Sequence, residues 1–429
     1  MQVIKEYQEQ VNLGVNALMP WIVCVCASLF FFYEFVQGNM FASIADNIMR
    51  DFHIQADKMT YLSSVYYLSN VLFLFVAGML LDKYSPKKII LIAMIFCVLS
   101  TFVLAHAHSF YVALICRFIT GIGSAFCFLG PVRLASHWFP ARRMAMVTGI
   151  IVTIAMTGGM IAQYPMAKLV SFVGWRDALM VVGWCGVAIF VMMTLGIVDK
   201  DKHHRKSLPI SKKQTIFAIA RQAYLNAQTL RAALYTSLMN MAIAVFGAMM
   251  GSLYLMQRMG VSKETAAFVN SFLFLGFIFG GPIMGYISDK LGLRVLPMKW
   301  GVLLSLAIVL LVLYVPVNLA VMKFLFFLLG FFTATQVISY ALVAESSQPS
   351  MIATAVSVIS LLTQGGYVVY QNVFSWLLTQ HGGMQMREGV PVYSLGDYDA
   401  AAMILPIGLV IAFLILFGLK ETFGHPHKG

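Results

Sequence analysis

The chain has 429 residues, of which 60% are apolar and only 11% are charged, whereas charged residues make up about a quarter of a typical soluble domain. This composition excludes a water-soluble enzyme and indicates an integral membrane protein. The 29 Lys and Arg outnumber the 17 Asp and Glu. In a membrane protein such an excess first reports orientation, so it does not predict a nucleic-acid partner.

Twelve apolar stretches are long enough to cross a bilayer, because a spanning helix needs about 20 apolar residues. We therefore predict an all-α integral membrane protein with twelve transmembrane helices in two six-helix bundles. The predicted spans are span 1 (18–45), span 2 (58–81), span 3 (89–107), span 4 (110–134), span 5 (144–170), span 6 (175–198), span 7 (231–257), span 8 (264–288), span 9 (295–315), span 10 (318–343), span 11 (351–379) and span 12 (400–420).

The loops predict the orientation of the chain. An even number of spans places both termini on one side, and most of the Lys and Arg lie in the loops on that side. Loops rich in these residues stay in the cytoplasm, so we expect cytoplasmic termini in a bacterial inner membrane, with basic loops near anionic lipid headgroups. The long segment 199–230 is predicted to be a cytoplasmic linker between an N-terminal bundle, residues 1–198, and a C-terminal bundle, residues 231–429.

A short pattern occurs twice, at a spacing of about half the chain. The loop after span 2 runs from Gly78 through Asp82 and Lys83, and the loop after span 8 runs from Gly285 through Asp289 and Lys290. A pattern repeated at this spacing predicts two halves related as parallel repeats. We expect these loops to latch the halves together on the cytoplasmic side when the cavity opens outward. The residues assigned to this gating role are Gly78, Asp82, Lys83, Lys87, Gly285, Asp289, Lys290 and Arg294.

With this repeat the chain resembles the major facilitator superfamily of secondary transporters over essentially its whole length. The loop from Gly78 to Lys88 is similar to the family's signature loop, although Ser85-Pro86 replaces its usual glycine, and Arg117 to Gly123 is similar to its helix-4 motif. The resemblance implies two bundles that rock about a midplane site, and no enzymatic activity. The segment from Phe30 to Phe41 is similar to the first helix of the phagosomal nutrient transporters of intracellular bacteria, which implies uptake of amino acids or nucleosides.

Two charged residues, Glu34 and Arg117, lie deep inside the predicted spans. A charge in the hydrocarbon region is costly and indicates function. Each lies about seven residues, or ~10 Å, from the outer end of its span, so we expect the two side chains to meet. We assign proton coupling to this pair, with Glu34 as the proton-carrying carboxylate and Arg117 as its partner or as the ligand of a substrate carboxylate. A purely structural ion pair is the alternative.

Polar and aromatic residues inside the spans predict the rest of a substrate site. Gln364, Tyr367 and Gln371 share one face of span 11 at helical spacing. For any single residue of this kind, an interhelical hydrogen bond is the alternative. Together, one cation, one anion and several amides predict a zwitterionic solute. The residues assigned to substrate binding are Arg117, Gln37, Tyr67, Asn70, Asn240, Gln336, Tyr340, Gln364, Tyr367 and Gln371.

The sequence thus predicts a monomeric, proton-coupled importer of a small polar nutrient, first of all an amino acid. Three alternatives stay open: an exporter of a siderophore or drug-like molecule, a nucleoside importer, and a membrane sensor that transports nothing. The expected partners are a small-molecule substrate, protons and membrane lipids. We expect no metal, no cofactor and no nucleic acid.

Overall fold

The computed structural model describes residues 2–139, 144–198, 226–347, 352–380, 385–387 and 390–423. Most of the linker predicted at 199–230 therefore lies outside the described residues, and the division of the chain at this point stays a prediction. Strands β1 (Gln385–Arg387) and β2 (Val390–Val392) pair antiparallel between spans 11 and 12. The hydropathy pattern did not predict this hairpin.

Each predicted span consists of one helix or of two or three consecutive helical segments. Their bounds are Gln2–Asn39 and Phe41–Phe52 (span 1), Ala56–Lys83 (span 2), Pro86–Ala105 (span 3), Phe110–Ser124 and Leu129–Trp138 (span 4), Met144–Ile161 and Tyr164–Val173 (span 5), Trp175–Gly196 (span 6), Ala227–Met239, Ile243–Met250 and Gly251–Met259 (span 7), Lys263–Leu291 (span 8), Val295–Tyr314 (span 9), Leu319–Thr333, Ala334–Val337 and Ile338–Ser346 (span 10), Ile352–Gln380 (span 11), and Leu395–Ala402 and Ile404–Leu416 (span 12).

Among the described residues, nine spans are long and apolar enough to cross a membrane, and the bent segments of span 7 together make a tenth. Spans 2 and 11 are equally long but more polar, because they carry residues such as Asn70 and Gln371. These two helices pack against each other, so protein rather than lipid covers their polar faces. The prediction of an all-α membrane protein is confirmed.

The packing of spans 1–6 recurs in spans 7–12. In the first half, span 1 packs on span 5, span 2 on span 4 and span 3 on span 6. In the second half, span 7 packs on span 11, span 8 on span 10 and span 9 on span 12. The contacts between the halves show the same repeat. The second helix of each half packs on the fifth helix of the other, since span 2 packs on span 11 and span 8 packs on span 5. The packing thus repeats as the two signature loops predicted.

Two glycines show how closely repeat-related helices approach each other. A Cβ atom added to Gly121 in span 4 would lie 2.2 Å from the carbonyl oxygen of Tyr66 in span 2. A Cβ atom added to Gly330 in span 10 would lie 1.9 Å from the carbonyl oxygen of Leu273 in span 8. Only glycine permits these contacts. In the first half, Gly121 lies one helical turn after Arg117 in span 4. Its contact therefore fixes the Tyr66 backbone of span 2 close to Arg117.

A π-helix, Ile243–Met250, interrupts span 7. Such segments often occur at functional sites. Three of its carbonyl oxygens accept hydrogen bonds from side chains of spans 5, 8 and 11. The bonds run from Gln163 Nε2 to Gly247 (2.8 Å), from Asn270 Nδ2 to Phe246 (2.8 Å) and from Gln371 Nε2 to Ala244 (2.9 Å). The irregular backbone of span 7 therefore binds helices of both halves.

Candidate functional site

Arg117 lies at the centre of the first half and is completely buried, with 0% of its surface exposed. Its Nε donates a hydrogen bond of 3.0 Å to the carbonyl oxygen of Leu62 in span 2. The guanidinium carbon lies 4.5 Å from the ring centres of both Phe41 and Tyr66. Cation–π contacts with the two rings therefore hold the guanidinium plane between spans 1 and 2.

The two terminal nitrogens of Arg117 are buried and have no hydrogen-bond partner. A guanidinium presents a planar fork of N–H donors that matches a carboxylate with two parallel hydrogen bonds. Leaving such a cation buried and unpaired costs several kcal/mol. The arrangement therefore provides a binding position for an oxyanion inside the membrane.

The Glu34 carboxyl group is also buried, with 1% of the residue exposed. Its Oε2 accepts a hydrogen bond of 3.1 Å from the Tyr66 hydroxyl, while its Oε1 accepts none. Cys97 of span 3 and Cys127 of span 4 lie beside the carboxyl group. A buried carboxyl group that has one oxygen without a hydrogen bond and lies beside neutral thiols is suited to take up and release a proton.

Glu34 and Arg117, both in the described part of the chain, do not form the direct ion pair that their depths in the membrane predicted. Tyr66 links them instead, because its hydroxyl donates to Glu34 while its ring covers Arg117. No motif or charge pattern in the sequence pointed directly to Tyr66. The weak signal available was that two adjacent tyrosines, Tyr66 and Tyr67, occur at the same depth as the two charges.

Three residues assigned to substrate binding make hydrogen bonds within their own half. Gln37 Nε2 donates to Thr101 Oγ1 at 2.7 Å and to the Tyr33 hydroxyl at 3.0 Å. Asn70 Nδ2 donates to Ser124 Oγ at 2.7 Å, and Asn240 Nδ2 donates to the Thr236 carbonyl at 3.1 Å. For these amides the structure favours the alternative of a hydrogen bond that stabilises the bundle. Gln37 in particular points towards span 3.

Tyr67 and Tyr367 meet between the halves. Their ring centres are 4.5 Å apart, and the Tyr67 ring also contacts the Tyr66 ring at 4.9 Å. The Tyr67 hydroxyl donates to the Gly38 carbonyl at 3.1 Å. Tyr340 of span 10 lies beside Tyr367. A row of aromatic rings therefore leads from Arg117 to the second half.

The second half contributes neutral polar groups. Gln336 Nε2 and Gln371 Oε1 are buried without a hydrogen-bond partner, and Gln364 is half-buried. Gln336 lies in the short 3-10 segment Ala334–Val337 that interrupts span 10. Of the residues assigned to substrate binding in this half, Gln336 thus offers an unpaired donor and Gln371 an unpaired acceptor.

Hydrogen bonds join the halves on the side of the protein away from the termini. Lys263 at the start of span 8 forms an ion pair of 2.6 Å with Asp46 of span 1. The Tyr393 hydroxyl accepts a hydrogen bond of 3.2 Å from the first backbone N–H of span 2, at Ala56. Asn270 Nδ2 donates to Gln163 Oε1 at 2.7 Å. The halves are therefore closed against each other on this side, a closure that was not predicted from the sequence.

On the side of the termini, the signature loops do not bring the halves together. A Cβ atom on Gly78 or Gly285 would meet no atom within 4 Å. Lys83 and Lys290 are exposed, and the side chain of Asp82 lies outside the described residues. Lys87 Nζ donates to the Thr194 carbonyl of its own half at 2.9 Å. The latch groups whose side chains the structure describes contact their own half or open space, so the latch stays a prediction.

The second signature loop forms a complete ion-pair cluster within its half. Arg294 pairs with Asp289 at 2.5 Å and with Glu345 of span 10 at 2.6 Å. Although partial burial opposes it, hydrogen bonds to Glu345 and Asp289 raise the pKa of Arg294. Glu421 accepts hydrogen bonds from the backbone N–H groups of Arg294 and Val295 at 2.6 and 2.8 Å. Spans 8, 9, 10 and the segment after span 12 are joined through this cluster.

Comparison with known proteins agrees with this architecture. The profile of the Major Facilitator Superfamily matches residues 23–252 and 232–428. A probable sulfoacetate transporter of Cupriavidus necator is 28% identical over 129 residues, or 30% of each chain. A hexuronate transporter of Bacillus subtilis is 23% identical over 65% of this chain and 66% of its own length. The chain thus matches about a third of the first relative and just under two thirds of the second.

One solved structure is similar over nearly the whole chain. It is a bacterial homologue of the human lysosomal transporter Spinster, in an inward-facing and occupied conformation. It covers 92% of this chain and 95% of its own, with a TM-score of 0.72 and 17% sequence identity. At this level of identity the likeness shows the fold.

Proposed function

The chain belongs to the major facilitator superfamily, and from this we propose that it is a symporter that imports a small organic anion with a carboxylate group together with a proton. Proteins of this family are membrane transporters of small molecules and not enzymes. The broader prediction of a transporter is therefore confirmed by the family. The substrate class, the coupling ion and the direction are the proposal.

The observation that carries the proposal is the unpaired fork of Arg117. Its two terminal nitrogens are buried between Phe41 and Tyr66 without a partner. A planar carboxylate satisfies both with two charge-assisted hydrogen bonds. Two relatives are named for organic acids, sulfoacetate and hexuronate, which supports a carboxylate as the recognised group.

Glu34 supplies the coupling in this proposal. While Glu34 is ionised, its negative charge lies near the Arg117 cation and partly offsets it. Once Glu34 takes up a proton, Arg117 is left as an uncompensated buried charge, and an incoming carboxylate is favoured. Proton and anion therefore bind together. A monoanion and a proton cross the membrane without net charge, so the pH gradient is the main driving force.

The remainder of the substrate is proposed to be polar and neutral. Gln336 Nε2 offers a hydrogen-bond donor and Gln371 Oε1 an acceptor, and a hydroxyl group can serve both. An amino acid, predicted from the sequence, is the second candidate. Its carboxylate would bind Arg117, and its ammonium group would need the Gln371 oxygen and the Tyr367 ring face.

We place the termini in the cytoplasm of a bacterial inner membrane, as the basic loops indicate. With this orientation the side closed by Lys263 and Asp46 is periplasmic, and we propose that this is an inward-facing state. We propose that Gly78 and Gly285 acquire close neighbours only when the cytoplasmic side closes, with Asp289 and Lys290 then meeting the first half. The transporter is proposed to act as a monomer. The similarity of 30–41 to the phagosomal nutrient transporters stays a prediction.

The test is a ligand screen with a matched variant. Purified protein and its Arg117→Lys variant are heated with D-glucuronate, sulfoacetate, neutral sugars, nucleosides and amino acids. We expect an organic anion to raise the melting temperature of the wild type and not that of Arg117→Lys, because an ammonium group cannot replace the planar fork. Stabilisation by uncharged solutes, or equal stabilisation of both proteins, would contradict the proposal.

A transport assay then tests the coupling. Proteoliposomes take up radiolabelled D-glucuronate under an inward proton gradient, in competition with unlabelled D-glucuronate or with its methyl ester. The ester lacks the charge and should compete at least tenfold less well, since it leaves the guanidinium unpaired. Equal competition would exclude Arg117 as the carboxylate ligand and favour an uncharged nutrient.

A further inference from the structure

We propose that Tyr66 is the positioning residue that couples the proton on Glu34 to the anion on Arg117. The inference rests on the proposed function, since it assumes that Glu34 exchanges the proton and Arg117 binds the anion. It adds a residue that no feature of the sequence assigned to either task.

The Tyr66 hydroxyl has two acceptors within reach. It lies 3.1 Å from Glu34 Oε2 and 3.3 Å from the backbone carbonyl oxygen of the same residue. An ionised carboxylate is the stronger acceptor, so the hydroxyl donates to Oε2 while Glu34 is charged. When Glu34 is neutral, the carbonyl oxygen can take over the hydrogen bond. Tyr66 thus keeps a partner in both protonation states.

The Tyr66 backbone is held in place while the hydroxyl changes partner. The ring stacks on Arg117, and the Tyr66 carbonyl oxygen accepts a hydrogen bond of 3.0 Å from Ser69 Oγ. The close approach of Gly121 holds the same carbonyl against span 4. A small rotation of the ring about this fixed backbone is therefore passed directly to the guanidinium.

The titratable and charged groups that face Glu34 come from four spans. They are Tyr33 of span 1, Tyr66 of span 2, Cys97 of span 3, and Arg117 and Cys127 of span 4. Cys97 also lies near both Glu34 and Arg117, but Tyr66 joins them through a hydrogen bond to Glu34 and a ring that stacks on the Arg117 guanidinium. Its neighbour Tyr67 has a hydroxyl bonded to Gly38 and not to Glu34, and therefore provides a matched control.

The ring of Tyr66 also reaches the boundary between the halves. It contacts the Tyr67 ring at 4.9 Å, and Tyr67 contacts Tyr367 of span 11 at 4.5 Å. A rotation of Tyr66 that follows protonation of Glu34 therefore alters the packing between spans 2 and 11. Through this contact the loading of the site is communicated to the motion of the two halves.

The first experiment needs no substrate. Infrared difference spectra of the purified, ligand-free protein are recorded across a pH titration, and the carbonyl band of the protonated carboxyl group is assigned to Glu34 by its loss in Glu34→Gln. Tyr66→Phe removes the hydrogen bond that stabilises the charged form. We expect the midpoint of this band to move to higher pH by about one unit, and the band itself to change frequency. Tyr67→Phe should leave both unchanged.

The second experiment tests the link to Arg117. At a pH low enough to protonate Glu34, D-glucuronate binding should be within about twofold of wild type in Tyr66→Phe, which keeps the ring. Binding should fall at least tenfold in Tyr66→Leu, which loses the cation–π contact. In Tyr66→Phe, the pH at which D-glucuronate binding is half-maximal should move by the same amount as the midpoint of the Glu34 infrared band.

The outcomes separate the two proposals. If the wild type shows no band that Glu34→Gln removes, or binds no organic anion through Arg117, the proposed function fails. If wild type, Glu34→Gln and Arg117→Lys behave as expected but Tyr66→Phe titrates and binds like the wild type, only the role of Tyr66 is refuted. An equal shift in Tyr67→Phe would also refute it, because the effect would then not depend on the hydroxyl bonded to Glu34.

Discussion

Arg117 and Arg294 are both buried arginines near carboxylates, yet their surroundings differ completely. Arg294 bonds to Asp289, Glu345 and Ser288 through all three of its nitrogens. Arg117 bonds through Nε alone, and to a neutral carbonyl group. Residue type and burial therefore do not distinguish a structural arginine from a binding arginine. The state of their hydrogen bonds differs, and on this basis we propose Arg117 as the binding arginine.

The difference has a physical reason. All three nitrogens of Arg294 are hydrogen-bonded, and its charge is neutralised by carboxylates of the protein itself. Its role is to join four segments at the membrane edge. Arg117 lacks partners for its two terminal nitrogens, and the aromatic rings that contact its guanidinium cannot neutralise its charge. A buried cation without an anionic partner is costly in a membrane and therefore indicates a functional role. The comparison predicts that substitutions at Arg117 affect transport and that substitutions at Arg294 mainly affect stability.

The largest effect is expected for Arg117→Lys. Lysine keeps the charge but loses the fork, so organic-anion binding should weaken about 100-fold or more. The melting temperature of the ligand-free protein should change little, because no anionic partner is lost. Calorimetric binding and thermal unfolding measure the two quantities. Normal binding by the variant would remove the distinction between Arg117 and Arg294.

The second largest effect is expected for Glu34→Gln. Glutamine keeps the shape and can still accept from Tyr66, but it cannot release a proton, so accumulation driven by a pH gradient should be lost. Exchange of labelled for unlabelled anion should continue, since it requires no net proton movement. Both are measured in proteoliposomes. Full accumulation by the variant would show that another residue carries the proton.

A stability effect is expected for Arg294→Met. Removing one partner of a largely buried ion pair leaves Glu345 and Asp289 without their cation and should lower the free energy of unfolding by about 2–3 kcal/mol. Lys299→Met is the control, because Lys299 is another cation of the same region and, among the described residues, lies over the Phe417 ring and in no described ion pair. Uptake per folded molecule should fall far less than in Arg117→Lys. The converse result would assign Arg294 to the transport site.

The smallest effect is expected at the closure away from the termini. Lys263→Met breaks the partly buried pair with Asp46 and should weaken the closed state by about 1 kcal/mol, or roughly fivefold in population. Spin-label distances between spans 1 and 8 report this shift. Lys168→Met is the control, because Lys168 contacts the Tyr164 ring of its own half. Unchanged distances would show that the pair does not contribute to closure.

Much of the fold could be predicted because hydropathy is a property of single helices. Among the described residues each predicted stretch is helical, and nine or ten of the twelve are apolar enough to cross a membrane. The π-helix in span 7 and the hairpin after span 11 were not predicted, because hydropathy does not report local backbone geometry. The repeat was found from two loops, since their residues lie next to each other in sequence.

The candidate site was predicted less completely. The depths of Glu34 and Arg117 followed from helix geometry, but the insertion of Tyr66 between them depends on how spans 1, 2 and 4 are rotated in the folded bundle. Gln37 lies less than one turn from Glu34 and still points to Thr101. Glu345, which completes Arg294, comes from a distant part of the chain and leaves no local signal.

The close approaches at Gly121 and Gly330 occupy corresponding places in the two halves, in spans 4 and 10. Four residues before Gly121 stands Arg117, and four residues before Gly330 stands Phe326, which is fully buried and packs near Phe246 at 5.9 Å. The helix contact was kept in both copies, whereas the charge is present in one and replaced by an apolar ring in the other. Among the described spans, Arg117 is the buried arginine whose terminal nitrogens have no partner. Under the proposed function this one fork binds one carboxylate in each cycle, so we expect one anion per turnover.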